Sequence, residues 1–364
     1  MKVCHLTSVH TRYDTRIFLK ECSSLATNGH EVSLIVADDL GDELKGGVKI
    51  HDVGKNNSGR LSRFTKTTRN VFRKAIGIDA DVYHFHDPEL MPFAYLLKLK
   101  GKKVIYDTHE DLPRQLLSKP YLGKVSKKIL SFLIEKIENF FASRFTAIIT
   151  ATPFIRDRFL KLNNHTIDIN NFPIISEFED FSEHPKKDEI CYVGGLSQVR
   201  GILEVVKSLD NLNSIKFNLA GLFNDANYEK KVKSQPSWSK VNELGFIDRE
   251  GIKNVYSKSK IGIVTLHPIV NYLDSLPVKM FEYMASGLPV IASDISLWKS
   301  IIDESKCGIC VNPLSPNDIA KAIDEMIQDP KALKTMGVNG RKAIVQKYNW
   351  SIEENKLLNL YSNL

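Results

Sequence analysis

The chain alternates strand-like and helix-like segments in two successive series, and this alternation limits the folds open to it. The first series contains the apolar runs KVCHLTSV, EVSLIVA, DVYHFHD, KVIYDTH and FTAIIT, separated by stretches with helical apolar spacing. The second contains EICYVGG, IKFNLAG, KVNELG, KIGIVTL, LPVIAS and GICV. Alternation of this kind predicts the α/β class, with doubly wound parallel sheets. A chain of 364 residues is long enough for two such domains.

A polar interruption separates the two series. Residues 170–189, NNFPIISEFEDFSEHPKKDE, contain two prolines and lack a regular apolar period. We predict an N-terminal domain over residues 1–172, a linker over 173–185 and a C-terminal domain over 186–348. Two Rossmann-like domains in tandem are expected to face each other across a cleft, and ligands of parallel sheets bind beyond the carboxyl ends of the strands. Functional residues are therefore expected directly after strands, facing that cleft.

The composition limits the class of protein. With 43% hydrophobic and 26% charged residues, the chain has the content of a globular enzyme. No segment approaches the roughly 18 consecutive apolar residues of a membrane span, and the first residues lack the apolar core of a secretory signal. We therefore expect a cytoplasmic protein. The five scattered cysteines predict reduced thiols. Cys307 and Cys310 are not expected to form a metal or redox pair, because Ile309, Cys310 and Val311 have the pattern of a buried strand and no second pair or histidine cluster lies nearby.

The excess of basic over acidic residues lies in the N-terminal 170 residues. Residues 1–170 contain 27 Lys and Arg against 19 Asp and Glu, within a chain of net charge +7. Nucleic acid, anionic lipid and a phosphorylated substrate are all compatible with such a surface. Residues 55–77 carry seven basic and no acidic residues, while residues 113–141 mix lysines with Leu, Ile and Phe. Basic apolar helices can bind an anionic bilayer, and the alternative is a solvated helix face over a normal core.

The stretch DSLPVKMFEYMASGLPVIAS, residues 274–293, combines a helix start with charged residues. Pro277 is expected in the first turn, where backbone amides have no internal partners, and Lys279 adds positive charge, so this end predicts a phosphate site. Glu282 lies about 9 Å along the axis from Leu276 at about 1.5 Å per residue, a separation that suits a sugar hydroxyl of a nucleotide. The alternative is a surface i,i+3 ion pair between Lys279 and Glu282.

Asp274, seven residues and Glu282 resemble the motif of two glutamates separated by seven residues in retaining glycosyltransferases of family 4, which have the two-domain GT-B fold. Here Asp274 stands in place of the first glutamate. The resemblance implies that Glu282 binds the ribose of a sugar nucleotide and that Asp274 contacts hydroxyls of the transferred sugar. It further implies that amides of Leu276, Pro277, Val278 and Lys279 lie along the donor diphosphate. The resemblance extends from about His5 to Tyr361, and residues 349–364 resemble the final helix that packs back on the N-terminal domain.

The segment YVGGLSQVRGILEVVKSL resembles the start of the family's C-terminal domain, where an Arg and a Lys usually hold the diphosphate. Gly195, next to Gly194, occupies the usual Arg position, and Arg200 stands near the usual Lys. The resemblance implies that Lys279 replaces the missing cation. A solvated arginine at a helix start is the alternative for Arg200.

In the N-terminal half, HTRYDTRIFLKECSSLATNGHEV resembles the family's first loop and helix. It lacks the G-x-G-x-x-G pattern, which argues against a nicotinamide cofactor. The segments YHFHDPELMP and YDTHEDLP resemble two further strand ends of the family, and His109 matches its active-site histidine. The residues expected on the acceptor side are His10, Asp14, Arg16, His86 and Asp87, with Arg12 as a weaker candidate.

The resemblance implies a retaining glycosyltransferase that moves a sugar from a UDP- or GDP-linked donor to a saccharide acceptor, lipid-linked or soluble, in O-antigen, capsule or exopolysaccharide assembly. The catalytic residues implied are His109, Asp274, Arg200 and Lys279. Because cations and helix amides stabilise the departing phosphate, no metal or other cofactor is expected. The basic stretches predict peripheral binding to the anionic inner face of the plasma membrane.

Two alternatives remain open at this point. A GT-B sugar-nucleotide epimerase would bind the same nucleotide but consume no acceptor. A nucleic-acid-binding protein would use the basic N-terminal face, but the basic segments offer only scattered Phe for base stacking. We therefore expect no nucleic-acid partner.

Overall fold

The computed structural model describes residues 1–55, 63–117, 123–178 and 187–364. It divides into two compact units, Met1–Asn171 with Ser351–Leu364 (unit 1) and Phe172–Trp350 (unit 2). Much of the predicted linker and parts of both basic stretches lie outside the described residues. Residues Phe172–Phe178, which the sequence prediction places at the domain end and in the linker, belong to unit 2.

Unit 1 is built on an eight-stranded sheet of order β3-β4-β2-β1-β5-β6-β7-β8. Every neighbouring pair is parallel except β3 with β4, which is antiparallel. Its strands are β1 (Lys2–Leu6), β2 (Glu31–Val36), β3 (Glu43–Lys45), β4 (Val48–Asp52), β5 (Val82–Phe85), β6 (Lys103–Thr108), β7 (Ala147–Thr150) and β8 (Thr166–Asp168). The sequence patterns predict five of these strands and omit the short strands β3, β4 and β8.

Helices connect these strands, as parallel neighbours require. The helix predicted after β1 begins as a π-helix, Ile17–Cys22, which continues into an α-helix. The α-helices are α1 (Ser23–Thr27), α2 (Thr68–Ile78), α3 (Met91–Leu99), α4 (Leu112–Leu117), α5 (Lys124–Ala142) and α6 (Pro153–Phe159), and the C-terminal helix α15 (Trp350–Ser362) enters unit 1 at Ser351. A π-helical turn, Arg63–Thr67, precedes α2, and a 3₁₀ turn, Pro88–Leu90, precedes α3.

Unit 2 is built on a six-stranded, wholly parallel sheet of order β11-β10-β9-β12-β13-β14. Its strands are β9 (Glu189–Val193), β10 (Lys216–Ala220), β11 (Val241–Gly245), β12 (Ile261–Val264), β13 (Val290–Ser293) and β14 (Gly308–Val311). All six were predicted from apolar runs bounded by glycine or polar residues.

The helices of unit 2 follow its strands and cover both faces of the sheet. They are α7 (Ile202–Ser208), α8 (Ala226–Lys233), α9 (Arg249–Lys258), α10 (Val270–Leu273), α11 (Val278–Ala285), α12 (Ser296–Ser305), α13 (Pro316–Gln328) and α14 (Pro330–Gln346). Two apolar cores result, one containing Phe217 and Ile323 and the other containing Trp298 and Tyr283. Burial of one such side chain contributes about 1.5–3 kcal/mol.

Each sheet reverses its strand order at one place, between β1 and β5 in unit 1 and between β9 and β12 in unit 2. Loops diverge at such a switch point, so the carboxyl ends of the two strands leave room for a ligand. The predicted site residues follow β1, β5 and β6 in unit 1, and β9 and β12 in unit 2. None of the described helices is long and apolar enough to cross a bilayer.

Candidate functional site

The turn after β9 brings the backbone of unit 2 close to a lysine. Gly194 has φ +139°, and a Cβ placed on it would lie 3.1 Å from Lys279 Nζ. Gly201, which precedes α7, has φ +73°, and a Cβ there would lie 2.0 Å from the carbonyl oxygen of Thr265. Both positions favour glycine because their positive φ strains an L side chain, and at Gly201 a Cβ would also clash with the backbone of Thr265. Gly195, between β9 and α7, is exposed.

Lys279, in the first turn of α11, points toward this glycine turn. Its Nζ donates to Tyr192 Oη at 3.3 Å and lies 4.6 Å from the centroid of that ring. Burial, and then the nearby positive charge of Arg200, lower the pKa of Lys279 to about 7. Among the described residues no carboxylate forms a salt bridge with it. A negatively charged ligand would favour its charged form.

Arg200 ends the 3₁₀ turn Gln198–Arg200 between β9 and α7. Its guanidinium lies 5.3 Å from the centroid of the Tyr272 ring, and its charge acts on both Lys279 and Tyr192. It is partly buried and, within the described part of the chain, has no salt bridge to a carboxylate. It is thus not a fully solvated arginine, and the structure brings two cations together as the sequence predicts.

The beginning of α11 differs slightly from the sequence prediction. Pro277 is the N-cap residue rather than part of the first turn, because its ψ of 115° is extended, and the helix begins at Val278. No side chain caps its first amides. Leu276 and Val278 are partly buried, and Trp298 Nε1 donates to the carbonyl oxygen of Ser275 at 2.7 Å, which fixes the preceding loop. The helix therefore presents free N–H groups beside Lys279.

Glu282 lies one turn further along α11 and is 7% exposed. Its carboxylate accepts hydrogen bonds from Arg249 Nη1 at 2.6 Å and Tyr256 Oη at 3.1 Å. Arg249 also pairs with Glu177. The surface ion pair between Lys279 and Glu282 is therefore not formed, and the orientation of the Glu282 carboxylate is set by two donors. Asp274 is partly buried at the end of α10.

In unit 1 the loop after β1 carries His10 and Asp14. His10 Nδ1 lies 3.2 Å from Asp14 Oδ2, and His10 Nε2 lies 3.5 Å from Asp87 Oδ1. Burial alone would lower the pKa of His10, but Asp14 and Asp87 raise it above its ordinary value. Burial would raise the pKa of Asp14, but His10 and the amides of Ile17 and Arg16 hold it well below its usual range. The two side chains form an ion pair that is about one quarter exposed.

Asp107, near the end of β6, links three predicted site residues and is itself fully buried. Arg16 makes a bidentate pair with it at 2.9 and 2.8 Å. His86 Nδ1 and His109 Nε2 each lie 3.2 Å from Asp107 Oδ2. Burial lowers the pKa of His86 to about 4. Burial would raise the pKa of Asp107, but Arg16 and His109 hold it well below its usual range.

These predicted residues differ in accessibility. His109 keeps 21% of its side chain exposed and its ring centroid lies 5.0 Å from that of His10. Arg16 and the side chain of His86 are buried. Asp87 Oδ2 accepts hydrogen bonds from Thr7 Oγ1 at 2.8 Å and the Ser8 amide at 2.5 Å. His10, Asp14 and His109 are therefore the partly exposed members of this group, whereas Arg16, His86 and Asp87 are buried.

Sequence reasoning missed several functional candidates. Asp107 is not among the predicted site residues, although an acid inside the apolar run KVIYDT was a visible signal for a buried charge partner. Glu21 and Arg249 were also missed, since the histidines His84 and His86 beside Glu21 and the two carboxylates that pair with Arg249 lie far away in sequence. Arg12 forms a bidentate pair with Asp38 at 2.8 and 2.7 Å and is buried, so its observed contacts are structural.

Two family models match the chain over most of its length. The model described as Glycosyltransferase Family 4 matches residues 15–169, and the model described as Glycosyl transferases group 1 matches residues 174–343. Among solved structures, the Anabaena protein HepE in complex with UDP has 16% sequence identity and a TM-score of 0.77, over 100% of both chains.

Curated relatives are distant in sequence. An uncharacterized glycosyltransferase of Methanocaldococcus jannaschii is 22% identical over 307 residues, which cover 81% of this chain and 77% of the relative. The phosphatidyl-myo-inositol mannosyltransferase of Mycolicibacterium smegmatis is 22% identical over 348 residues, which cover 92% and 86%. Several other relatives match over less than half of their own length.

Two doubly wound parallel-sheet units, matched over the full chain by a solved structure, define the GT-B fold. The chain is a glycosyltransferase and belongs to the family-4 type, as the two family models show. The fold and the family expected from the sequence are thereby confirmed.

Proposed function

We propose that this chain transfers a sugar from a UDP- or GDP-linked donor to a saccharide acceptor, with retention of the anomeric configuration. One observation carries the proposal. Arg200 and Lys279, neither in a salt bridge with a carboxylate among the described residues, converge near Tyr192 beside a glycine turn and the uncapped start of α11. A diphosphate is the anion that suits two cations and a row of free amides.

The other residues of unit 2 take roles consistent with this donor. Glu282, oriented by Arg249 and Tyr256, binds the ribose hydroxyls. Asp274 contacts hydroxyls of the transferred sugar. Gly194 and Gly195 allow the diphosphate to approach the backbone after β9. The UDP bound by HepE, a protein of the same fold, supports a nucleotide donor.

The transfer step needs charge stabilisation more than a protein nucleophile. The bond between the anomeric carbon and the diphosphate oxygen breaks while the acceptor oxygen bonds to that carbon on the same face. The departing phosphate oxygen takes the acceptor proton. Arg200 and Lys279 stabilise the released charge, and a strong donor of this kind contributes roughly 3–4 kcal/mol by analogy with oxyanion holes. In unit 1, His109 is the proposed catalytic histidine, and His10, Asp14 and Asp87 bind the acceptor, with Arg16 and His86 in support.

A ligand panel tests the donor. We expect sugar nucleotides to raise the melting temperature of the wild-type chain, because they bind the folded state. Arg200→Ala and Lys279→Ala should lose the shift, while Lys207→Ala, which removes an exposed lysine on α7, should keep it. Consumption of an acceptor in the matching assay separates a transferase from an epimerase. Equal shifts in all four proteins would contradict the proposed donor site.

We further propose that the acceptor is lipid-linked and that the protein binds an anionic membrane surface during assembly of a bacterial surface polysaccharide. Helix α5 carries an apolar stripe whose members are each about half exposed or more. Its members are Val125, Ile129, Phe132, Leu133, Ile137 and Phe140. Lys128 and Lys136 are exposed on the same helix. An interfacial helix has this combination of apolar and basic side chains. A relative named for phosphatidyl-myo-inositol agrees with a lipid acceptor.

Vesicle sedimentation tests this second part. Vesicles containing phosphatidylglycerol should sediment the protein, and vesicles of phosphatidylcholine alone should not. The variant Ile129→Ser with Phe132→Ser should lose sedimentation, whereas Val338→Ser, at an equally exposed apolar position on α14, should keep it. Sedimentation that does not depend on anionic lipid or on α5 would count against membrane binding and leave the donor proposal untouched.

A further inference from the structure

Unit 1 contains a closed cluster of three histidines and one glutamate beneath the predicted acceptor loop. His5 in β1 and His84 in β5 are register partners in adjacent strands, and His86 follows two residues later on the same face. Glu21, in the π-helical turn Ile17–Cys22, approaches the same point. The side chains of all four residues have no solvent exposure.

The distances within this cluster are those of a metal-ligand set. Glu21 Oε2 lies 4.0 Å from His5 Nδ1, 3.9 Å from His84 Nε2 and 4.0 Å from His86 Nε2. His5 Nδ1 and His86 Nε2 are 3.0 Å apart. Tetrahedral zinc with bonds of about 2.0–2.1 Å places its ligand atoms about 3.4 Å from one another. These four distances lie on either side of that value, and all four ligand atoms lie within 4.8 Å of one another, so the side chains would contract around a bound ion.

Several of the polar atoms have no hydrogen-bond partner. These are His84 Nε2, His5 Nε2 and Glu21 Oε2, while the other carboxylate oxygen of Glu21 lies 3.2 Å from Arg16 Nε in an ion pair. Buried polar atoms are almost always hydrogen-bonded, because each unpaired group costs about 1–3 kcal/mol. Two unpaired ligand atoms, from His84 and Glu21, lie 3.9 Å apart within the cluster. A bound cation between them would satisfy both.

The outer contacts orient the ligands. His86 Nδ1 lies 3.2 Å from Asp107 Oδ2, and His84 Nδ1 lies 2.9 Å from Tyr361 Oη. Arg16 Nε lies 3.2 Å from the second oxygen of Glu21. Partners of this kind hold the far nitrogen of a ligating imidazole so that its Nε2 lone pair faces the metal. For both His84 and His86, Nε2 is the atom that faces the cluster.

The charges favour a divalent cation. Three neutral imidazoles and an ionised Glu21 would leave one negative charge, since Arg16 and Asp107 neutralise each other through their bidentate pair. Burial and the charge of Asp107 raise the pKa of Glu21 well above its usual range, so a metal ion would bind by displacing a proton from Glu21. Three nitrogens and one oxygen suit zinc and neighbouring transition metals, rather than Mg²⁺ or Ca²⁺, which prefer oxygen ligands. Four protein ligands leave no open position, which is typical of a structural rather than a catalytic site.

We propose that His5, Glu21, His84 and His86 bind one zinc-class divalent metal ion that fastens the Ile17–Cys22 turn onto β1 and β5. The alternative is that no metal ion binds and that the four side chains share a proton. The proposal is separate from the donor site of unit 2 and does not depend on it. The proposed ion takes no part in the transfer step.

Metal content of the full-length protein tests the proposal. After exposure to Zn²⁺ or Co²⁺ and removal of loosely bound ions, we expect one metal per chain by elemental analysis, and visible d–d absorption typical of tetrahedral Co²⁺. His84→Ala and Glu21→Gln should lose both signals. His165→Ala, which removes an exposed histidine of the same unit, should keep them.

Two outcomes would overturn the proposal. A folded wild-type protein that retains no stoichiometric metal would show that the cluster holds only protons, whether or not the variants fold. If folded His84→Ala retains one metal ion per chain, the ion binds outside the proposed cluster. Cys307 and Cys310, which are unchanged in every variant, would then be candidate ligands. A strong chelator should also lower the melting temperature of the metal-loaded wild type, and metal addition should restore it.

Discussion

The polar groups at the switch points of the two sheets are arranged in opposite ways. In unit 1 the charges neutralise one another, with Arg16 on Asp107 and His10 on Asp14. In unit 2 the cations Arg200 and Lys279 lie together and form no salt bridge with a carboxylate of the described residues. The same strand geometry therefore supports a stable internal network in one unit and a site for an external anion in the other. Removing a charge should cost mainly stability in unit 1 and mainly function in unit 2.

The largest expected effect is on stability, in unit 1. Asp107→Ala leaves Arg16 buried without its bidentate partner, and loss of one member of a buried ion pair costs about 3–5 kcal/mol. Urea unfolding followed by circular dichroism should show the loss. Asp157→Ala breaks an exposed pair with Arg156 and should cost less than about 1 kcal/mol. Equal stability of the two variants would mean that the buried network of unit 1 does not differ from a surface pair.

The next effect is on turnover, in unit 2. Arg200→Ala and Lys279→Ala should each lower kcat by about 10²–10³-fold, the loss measured when one preorganised donor to a developing negative charge is removed. Both should unfold within a few degrees of the wild type, because neither cation holds another charge in place. Steady-state kinetics measures the fall in kcat, and thermal melting measures the change in melting temperature. A large fall in melting temperature with unchanged kcat would mean that Arg200 and Lys279 contribute to stability rather than to turnover.

Much of this comparison could be predicted from the sequence. The strand runs and the residues after them indicated where ligands would bind, because parallel sheets bind ligands beyond the carboxyl ends of their strands. The strand order, and with it the position of each switch point, was not predicted. We could expect Arg200 and Lys279 to lie close together because Arg200 follows β9 and Lys279 follows β12. The hairpin β3–β4 was missed because β3 has only three residues and three of the five residues of β4 are polar, although Gly46-Gly47 between Lys45 and Val48 is a turn signal.

The interior of unit 1 could not be predicted in the same way. His5 lies in a predicted strand and Glu21 in a predicted helix, and the two histidines that complete their cluster, His84 and His86, lie more than 60 positions further along the chain. Burial of a charge depends on which distant groups neutralise it, and local periodicity carries no such information. For Glu282 the sequence indicated a ribose ligand but not Arg249 and Tyr256, which orient it.

A pH titration sharpens the comparison at Lys279. Burial and Arg200 lower its pKa to about 7, so above this pH the lysine is largely neutral, and a bound diphosphate must restore its proton. Affinity for a sugar nucleotide should fall as pH rises above 7, by at most about tenfold per unit. Lys279→Arg, charged at every pH used, should remove the dependence. Calorimetry in buffers of different ionisation enthalpy should show proton uptake at pH 8 for the wild type only.

The same shift has a consequence for the stability of the unliganded protein. Between pH 7 and the ordinary lysine value of 10.5, the unfolded chain holds a proton at Lys279 that the folded chain lacks. The contribution of Lys279 to stability therefore rises with pH across this window. Donor binding and unliganded stability should thus respond to pH in opposite directions. A wild-type affinity that is flat from pH 6.5 to 9 would show that Lys279 is already charged without a ligand.

The smallest expected effect is on sugar-nucleotide affinity and concerns the position of Arg200, which forms no salt bridge with a carboxylate among the described residues. Its guanidinium lies 5.3 Å from the centroid of the Tyr272 ring, and an exposed cation–π contact contributes about 0.5–1 kcal/mol. Tyr272→Leu should therefore weaken sugar-nucleotide binding by about two- to fivefold, while Tyr272→Phe, which keeps the ring, should bind as the wild type does. Isothermal titration resolves a difference of this size. If the Leu variant binds as tightly as the Phe variant, the ring does not position Arg200. The backbone of the Gln198–Arg200 turn would then set the position of its guanidinium.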